Sequence, residues 1–305
     1  IAGFEGGKYY DQDEEVFDLN APYEPVYSKP EDFEYIFIEG SSTEIDVVGI
    51  KDNVESMITE LTIPAVIDGY TVKSVSIGIL NYAKEVRTFV IEDGVQEFST
   101  DLADRDRDYG YPKLLLDDGE KITKMYIPKT LVIDKEDLGD RRFSICLENL
   151  QELSIDFTNI YLSSDWSYER FLQTPNLRKI TIRMNPNSYN CKGIDTLFDD
   201  ANLLEEIDFV FNEEEFIPSE GQTKPYLSFN WLGDENLKNL KKITYPENCI
   251  LSIESLAAEN SSIESFTFTK NTYVYLGSEV FKNCNNLSEI IFDEGCEFDT
   301  RNLSE

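Results

Sequence analysis

The 305-residue chain contains no histidine. That absence removes Ser-His-Asp and Cys-His nucleophiles, histidine general bases and histidine metal ligands together. Basic residues are scarce as well: 27 Lys and Arg stand against 60 Asp and Glu, a net charge of -33. A phosphate backbone is held by Lys and Arg that neutralise it, so this balance argues against nucleic acid as a partner. An anionic membrane surface would repel the chain in the same way. No stretch approaches the roughly 18 uninterrupted apolar residues of a spanning helix, so no direct membrane insertion is expected from this segment. The five cysteines are odd in number and form no C-x-x-C pair, which gives neither a zinc site nor a disulfide framework. Phosphate-cradling glycine loops are missing too, and no cofactor is expected. A carboxylate-dependent glycoside hydrolase is the one catalytic chemistry left open, because sequence cannot pick a general acid out of sixty acidic residues.

What the chain does have is a repeat. An aliphatic anchor, a second apolar residue three places on and a third two places later recur at Ile58, Val86, Ile122, Leu150, Leu177, Leu204, Leu240, Ile263 and Leu287. Successive anchors lie 28, 36, 28, 27, 27, 36, 23 and 24 residues apart. The nine anchors fix eighteen further positions, of which about seven would be apolar by accident at 41% hydrophobic content. All eighteen are, as in Leu61 and Ile63, Phe89 and Ile91, or Ile180 and Ile182. An L-x-x-L-x-L run at a period of 20–29 residues is the signature of leucine-rich repeats.

The predicted fold is therefore a β-rich α/β chain, a right-handed leucine-rich-repeat solenoid of about nine repeats with short parallel strands. Residues 1–32 are acidic, contain Tyr9, Tyr10, Tyr23 and Tyr27 with Pro22, Pro25 and Pro30, and read as a linker or leader. Residues 33–57 alternate around Gly40-Ser41-Ser42 and read as a β-hairpin cap over the first coil. The solenoid is assigned to 58–305. Its last triplet is followed by thirteen residues, so either Cys296, Phe298 and Leu303 fold back as a lid, or the array continues into a further repeat or anchoring domain, or two chains meet end to end, with a lid or continuation favoured over dimerisation. Mutual repulsion at this charge favours a monomer.

Some phrases are more particular. Leu61-Thr-Ile-Pro64, Tyr126-Ile-Pro128-Lys-Thr-Leu131 and Val280-Phe-Lys-Asn-Cys284-Asn-Asn-Leu287 resemble the BspA-like leucine-rich repeats of bacterial surface proteins, over about residues 33–298. Most repeats here lack that family's alanine-phenylalanine pair, and only Cys146 and Cys284 keep its internal cysteine. The resemblance implies a secreted or cell-surface protein used in adhesion or recognition, without catalysis. The partner it implies is a protein of a host or a neighbouring cell; a glycan is left open, and a structural spacer is the alternative role. Cysteine at the internal position is expected to act as a small buried hydrophobe. Cys249 and Cys296 lie nine residues after anchors two coils apart, near 10 Å at about 4.8 Å per coil, too far for a disulfide. Asp104, Asp106 and Asp108 imitate the start of a calcium loop, but Gly110 falls at its seventh position and Leu115 at its twelfth, so no metal is expected.

Strand alternation sends Leu61 and Ile63 inward and Thr62 outward, and the same offset picks one residue per coil. The candidate binding face is this column, Thr62, Val90, Tyr126, Ser154, Thr181, Asp208, Thr244 and Thr267, with the basic pairs Arg178-Lys179 and Lys241-Lys242 beside it. The charges admit a plainer reading, in which neighbouring coils pair them to set register.

Overall fold

The computed structural model describes residues 22–99, 114–116, 119–133, 143–160, 172–187, 201–212, 216–218, 223–229, 237–255 and 258–299. The calcium-like run Asp104–Gly110, Cys191 and Leu303 lie outside them, as do residues 1–21 of the leader. Along the chain the first strands are β1 (Phe33–Phe37), β2 (Glu44–Ile50), β3 (Glu60–Ile63), β4 (Val66–Ile67), β5 (Tyr70–Ser76), β6 (Thr88–Ile91) and β7 (Glu97–Ser99). There follow β8 (Leu114–Leu116), β9 (Lys124–Ile127), β10 (Phe143–Ile145), β11 (Glu152–Asp156), β12 (Lys179–Met184) and β13 (Glu206–Phe211). The last are β14 (Tyr226–Phe229), β15 (Lys242–Thr244), β16 (Ile250–Ile253), β17 (Ser265–Phe268), β18 (Tyr273–Leu276), β19 (Glu289–Phe292) and β20 (Glu297–Phe298).

Each of the nine triplets carries a strand that begins two residues after its anchor. Seven of them form one parallel sheet in the order β15-β13-β12-β11-β9-β6-β3, and β17 pairs with β19 in a second. The physical reason is burial at a period of two. In the first eight triplets the anchor and both later apolar residues are at most 5% exposed, while the residues between them stay half-buried or exposed. At about 25 cal/mol per Å² of apolar surface, three such residues per coil are the chief favourable contribution each coil makes. Seven of the anchors, from Val86 to Leu240 and again at Leu287, also close the turn that leads into the strand. Each donates its N–H to the carbonyl three residues back, for example Val86 to Ala83 at 3.0 Å and Leu177 to Thr174 at 3.0 Å.

Where it is described, much of the return side is strand as well, so the solenoid is β-rich with almost no helix. β14, β16, β18 and β20 form a parallel sheet, β8 pairs with β10, and among the described residues the only helices are two short 3-10 turns, Pro30–Asp32 and Ile77–Tyr82. Leu251 and Ile253 in β16 and Val274 in β18 are buried on this side, again at period two. Coils of 23 or 24 residues that already hold two four-residue strands and their turns leave no room for several helical turns.

Coils are tied to each other by side chains as well as by ladders. The asparagine just before an anchor donates its Nδ2 to a carbonyl of the preceding coil: Asn149 to Glu120 (2.7 Å), Asn176 to Glu148 (2.9 Å) and Asn239 to Asn202 (2.6 Å). In the C-terminal coils rings fill the space between the sheets. Phe209, Phe229, Tyr245 and Phe266 follow one another at centroid spacings of 5.2, 6.2 and 6.0 Å.

At the N-terminal end, β1 and β2 pair antiparallel as the hairpin reading expects, with Gly40 at φ +81° in the turn. Beyond that reading, β5 joins β2 in parallel, and β4 and β5 make a tight hairpin whose Asp68 and Gly69 both have positive φ, the geometry of a type I′ turn. Part of the leader is docked. Val26 accepts from the N–H groups of Thr59 and Glu60, and Ser28 donates its N–H to the Glu60 carbonyl and brackets the Thr62 backbone through its hydroxyl. Tyr23 donates to a Glu60 carboxylate oxygen at 2.5 Å, and the Arg87 guanidinium lies 4.1 Å from the centroid of its ring. This strap closes the outer edge of β3, which would otherwise present unpaired backbone groups.

At the other end, Ile290 and Phe292 occupy inward positions of β19 but are 40% and 59% exposed. Phe298 packs on Phe292 at 5.5 Å and on Phe268 at 4.9 Å, and with half-buried Cys296 it forms part of the expected lid.

The cysteine expectation needs correction. Among the described cysteines Cys249 alone is buried; Cys146, Cys284 and Cys296 are half-buried, and none of the four forms a disulfide. Cys284 stands three residues before its anchor, but Cys146 stands four before Leu150, so Leu147 takes the buried place.

Candidate binding surface

The outward column exists as a physical row. Register places Thr62 beside Val90, Val90 beside Tyr126, Tyr126 beside Ser154, Ser154 beside Thr181, Thr181 beside Asp208 and Asp208 beside Thr244. Thr267 stands apart from this row. It belongs to the β17–β19 pair, where its neighbour is Ile291.

The basic residues beside the column are engaged. Arg178 and Lys241 both meet Glu205, at 2.7 and 3.0 Å, Lys179 meets Glu206 at 3.6 Å, and Lys124 meets Glu152 at 3.1 Å. Lys242 stands opposite Glu206 in register. Hydrogen bonding from Lys241 holds the Glu205 carboxyl below its usual range, and the same bond raises Lys241. Coil-to-coil pairing therefore accounts for most of these cations. Such exposed pairs add little stability each, and their main effect is to fix register.

Within the column the chemistry is uneven. Thr244 donates its hydroxyl to Asp208, so these two satisfy each other. Ser154 and Thr181 have no side-chain hydrogen bond to another described residue, and neither has Tyr126. Between them the sheet dips. A depression of about 140 Å³ is lined by Thr88, Val90, Tyr126, Ser154 and Thr181, with Lys124, Glu152 and Lys179 on one rim. The cause is a change of side-chain size along one row, from tyrosine at 126 to serine at 154 and threonine at 181. Burial raises the Tyr126 hydroxyl above its ordinary pKa, helped by the Asp93 and Asp156 charges, so it is a protonated donor at neutral pH.

Sequence reasoning missed the margin of this face. Asp156 accepts from the Thr158 N–H (2.9 Å) and hydroxyl (2.6 Å), and the Asn212 amide donates to the Thr158 hydroxyl at 2.7 Å. The signal available was the D-x-T spacing of Asp156 and Thr158, a local side-chain-to-backbone turn. Beside it the Arg183 Nε and Asn212 Oδ1 are buried without a hydrogen-bond partner. Among the described residues no group of His, Cys, Asp or Glu has the geometry to hold a metal ion.

Seven triplets in one register, a further pair in β17 and β19, and a second layer of return strands define a leucine-rich-repeat solenoid. Among solved structures, comparison finds bacterial leucine-rich repeat proteins at low identity, one of them a cell-surface protein. A T. pallidum leucine-rich repeat protein is 10% identical, with 90% of this chain and 87% of that chain covered and a TM-score of 0.29. A leucine rich cell surface protein of Faecalibacterium prausnitzii is 16% identical over 90% of this chain and 56% of its own, with a TM-score of 0.28. A leucine-rich repeat protein of Bacteroides ovatus is 14% identical over 88% and 78%, with a TM-score of 0.25. No family model matches the sequence, and neither does any curated protein.

Proposed function

We propose that this chain is a non-catalytic recognition module of the BspA-like kind, secreted or displayed on a bacterial surface. It adheres to a protein of a host or neighbouring cell. The observation that carries the reading is the continuous outward row from Thr62 to Thr244, rigidly spaced by seven paired strands and free of the core. Solenoids bind through such rows because side chains can change there without touching the packing that builds the coil. The cations of the face are matched to carboxylates of the adjacent coil, so the surface offers shape and hydroxyls more than bare charge. Glu205 is shifted, and it is shifted down, the opposite of what a glycosidic general acid requires.

Binding of the purified chain to immobilised extracellular-matrix proteins and to intact epithelial cells tests this. Thr181→Arg is expected to lower binding at least tenfold, while Ser252→Arg, on the return sheet, leaves it within twofold. Equal binding by both variants would move recognition off the strand face, and no binding by the unaltered chain would favour the spacer role.

A further inference from the structure

The depression beside Tyr126 has a composition that restricts its occupant. Its backbone groups are consumed by the ladders of β9, β11 and β12, and the outer edge of β3 is closed by the Ser28 strap. An incoming peptide therefore has no strand edge to extend on this side of the face, and only side chains are offered to a ligand. Those side chains are the Tyr126 ring, the small apolar Val90, the Thr88 hydroxyl, which bonds to Tyr23, and two hydroxyls, Ser154 and Thr181, that bond to no other described residue. The rim charges are matched, Lys124 to Glu152 and Lys179 to Glu206.

An apolar side chain seated here would cover both hydroxyls and leave them unpaired, which costs about 1–3 kcal/mol for each buried group. A charged side chain would have to displace an existing ion pair. An occupant with both an apolar C–H face and a hydroxylated edge meets both demands. It can lie against Tyr126 and exchange hydrogen bonds with Ser154 and Thr181. The space of about 140 Å³ is well below the roughly 300–1,000 Å³ of pockets that enclose a whole drug-sized ligand. It admits one ring.

We propose that this depression is a monosaccharide subsite, taking one neutral pyranose of a glycan carried by the partner. The inference rests on the reading of the outward face as the recognition surface and adds the chemical class that the face receives. Tyr126 supplies the ring wall and a protonated hydroxyl, Ser154 and Thr181 supply the hydroxyl contacts, and the flanking ion pairs hold the rim without contributing net charge.

Saturation-transfer NMR and calorimetric titration of the whole chain with a panel of neutral methyl hexosides and N-acetylhexosaminides test it. At least one glycoside is expected to bind at a single site with millimolar affinity. Tyr126→Ala should weaken it at least tenfold, Tyr126→Phe by less than about threefold, and Ser154→Ala by three- to tenfold. Melting curves of each variant verify that the fold is kept; should Tyr126→Ala unfold, Ser154→Ala and Thr181→Val decide the matter. Absence of binding by every glycoside at tens of millimolar overturns the proposal, as does binding that ignores all these substitutions. If cells or matrix proteins are still bound through the face in that event, the depression receives a protein side chain and the broader reading survives.

Discussion

At the residue scale, Cys249 shows how burial sets chemistry in this core. Its side chain lies within the stack, with the sulfur bonded to the Pro246 carbonyl at 3.3 Å, and burial pushes the thiol up to about 11. In the unfolded chain it ionises near 9.0. The stabilisation it gives is complete below pH 9 and is lost as pH rises to 11, a change of about 2–3 kcal/mol. Burial raises the Tyr245 hydroxyl in the same direction, so it adds to the alkaline loss above its ordinary value of 10.0. Urea unfolding at pH 8, 9, 10 and 11 should show falling stability, with a shallower fall in Cys249→Val; identical slopes would mean the thiol is not desolvated. Gly277 is fixed by space instead. A Cβ there would lie 2.3 Å from the Ser255 nitrogen, so Gly277→Ala should cost about 1–3 kcal/mol by forcing the two coils apart. A melting temperature unchanged from the parent would show that the coils are looser than described.

At the element scale the triplets were legible because one physical demand, three inward side chains per coil, repeats without exception from Ile58 to Phe268. Ile182 is wholly buried, and Ile182→Asp is expected to cost at least about 3 kcal/mol by placing an unpaired charge in the core. A loss below about 1 kcal/mol would contradict the inward assignment. The return sheet was harder to read. Ile250–Ile253 and Tyr273–Leu276 are too short for their alternation to stand out, and their neighbours are one coil away in sequence. The strap was illegible for a related reason: its hydrogen bonds, such as Ser28 to the Thr62 backbone, join residues 34 apart. The Asn149, Asn176 and Asn239 ladder could have been found, since each precedes an anchor. Asn176→Ala should lower stability by about 1 kcal/mol, and urea titration would show no change if water replaced the bond fully. For the binding face, spacing gave the row from Thr62 to Thr244 but not the dip at Ser154, because depth depends on the sizes of neighbours brought together by register.

At the scale of the whole molecule, charge and stacking oppose each other. A net charge of -33 strains any compact state, while ion pairs between coils offset part of it. Because those pairs are half-exposed and individually weak, raising salt from about 10 mM to 0.3 M, where the Debye length shortens severalfold, should raise the melting temperature. A fall would show that the ladders outweigh the repulsion. The central claim is that successive coils align into one register, and the absence of histidine makes that directly measurable. Thr181→His with Asp208→His places two imidazoles on directly opposed positions of β12 and β13, close enough to share a metal ion. Thr181→His with Thr244→His puts them two coils apart, near 10 Å by strand spacing. The measurement is the melting temperature of both double variants with and without Zn²⁺. In-register stacking predicts a zinc-dependent rise for the first pair and a much smaller one for the second; equal shifts, or none in either, would contradict it.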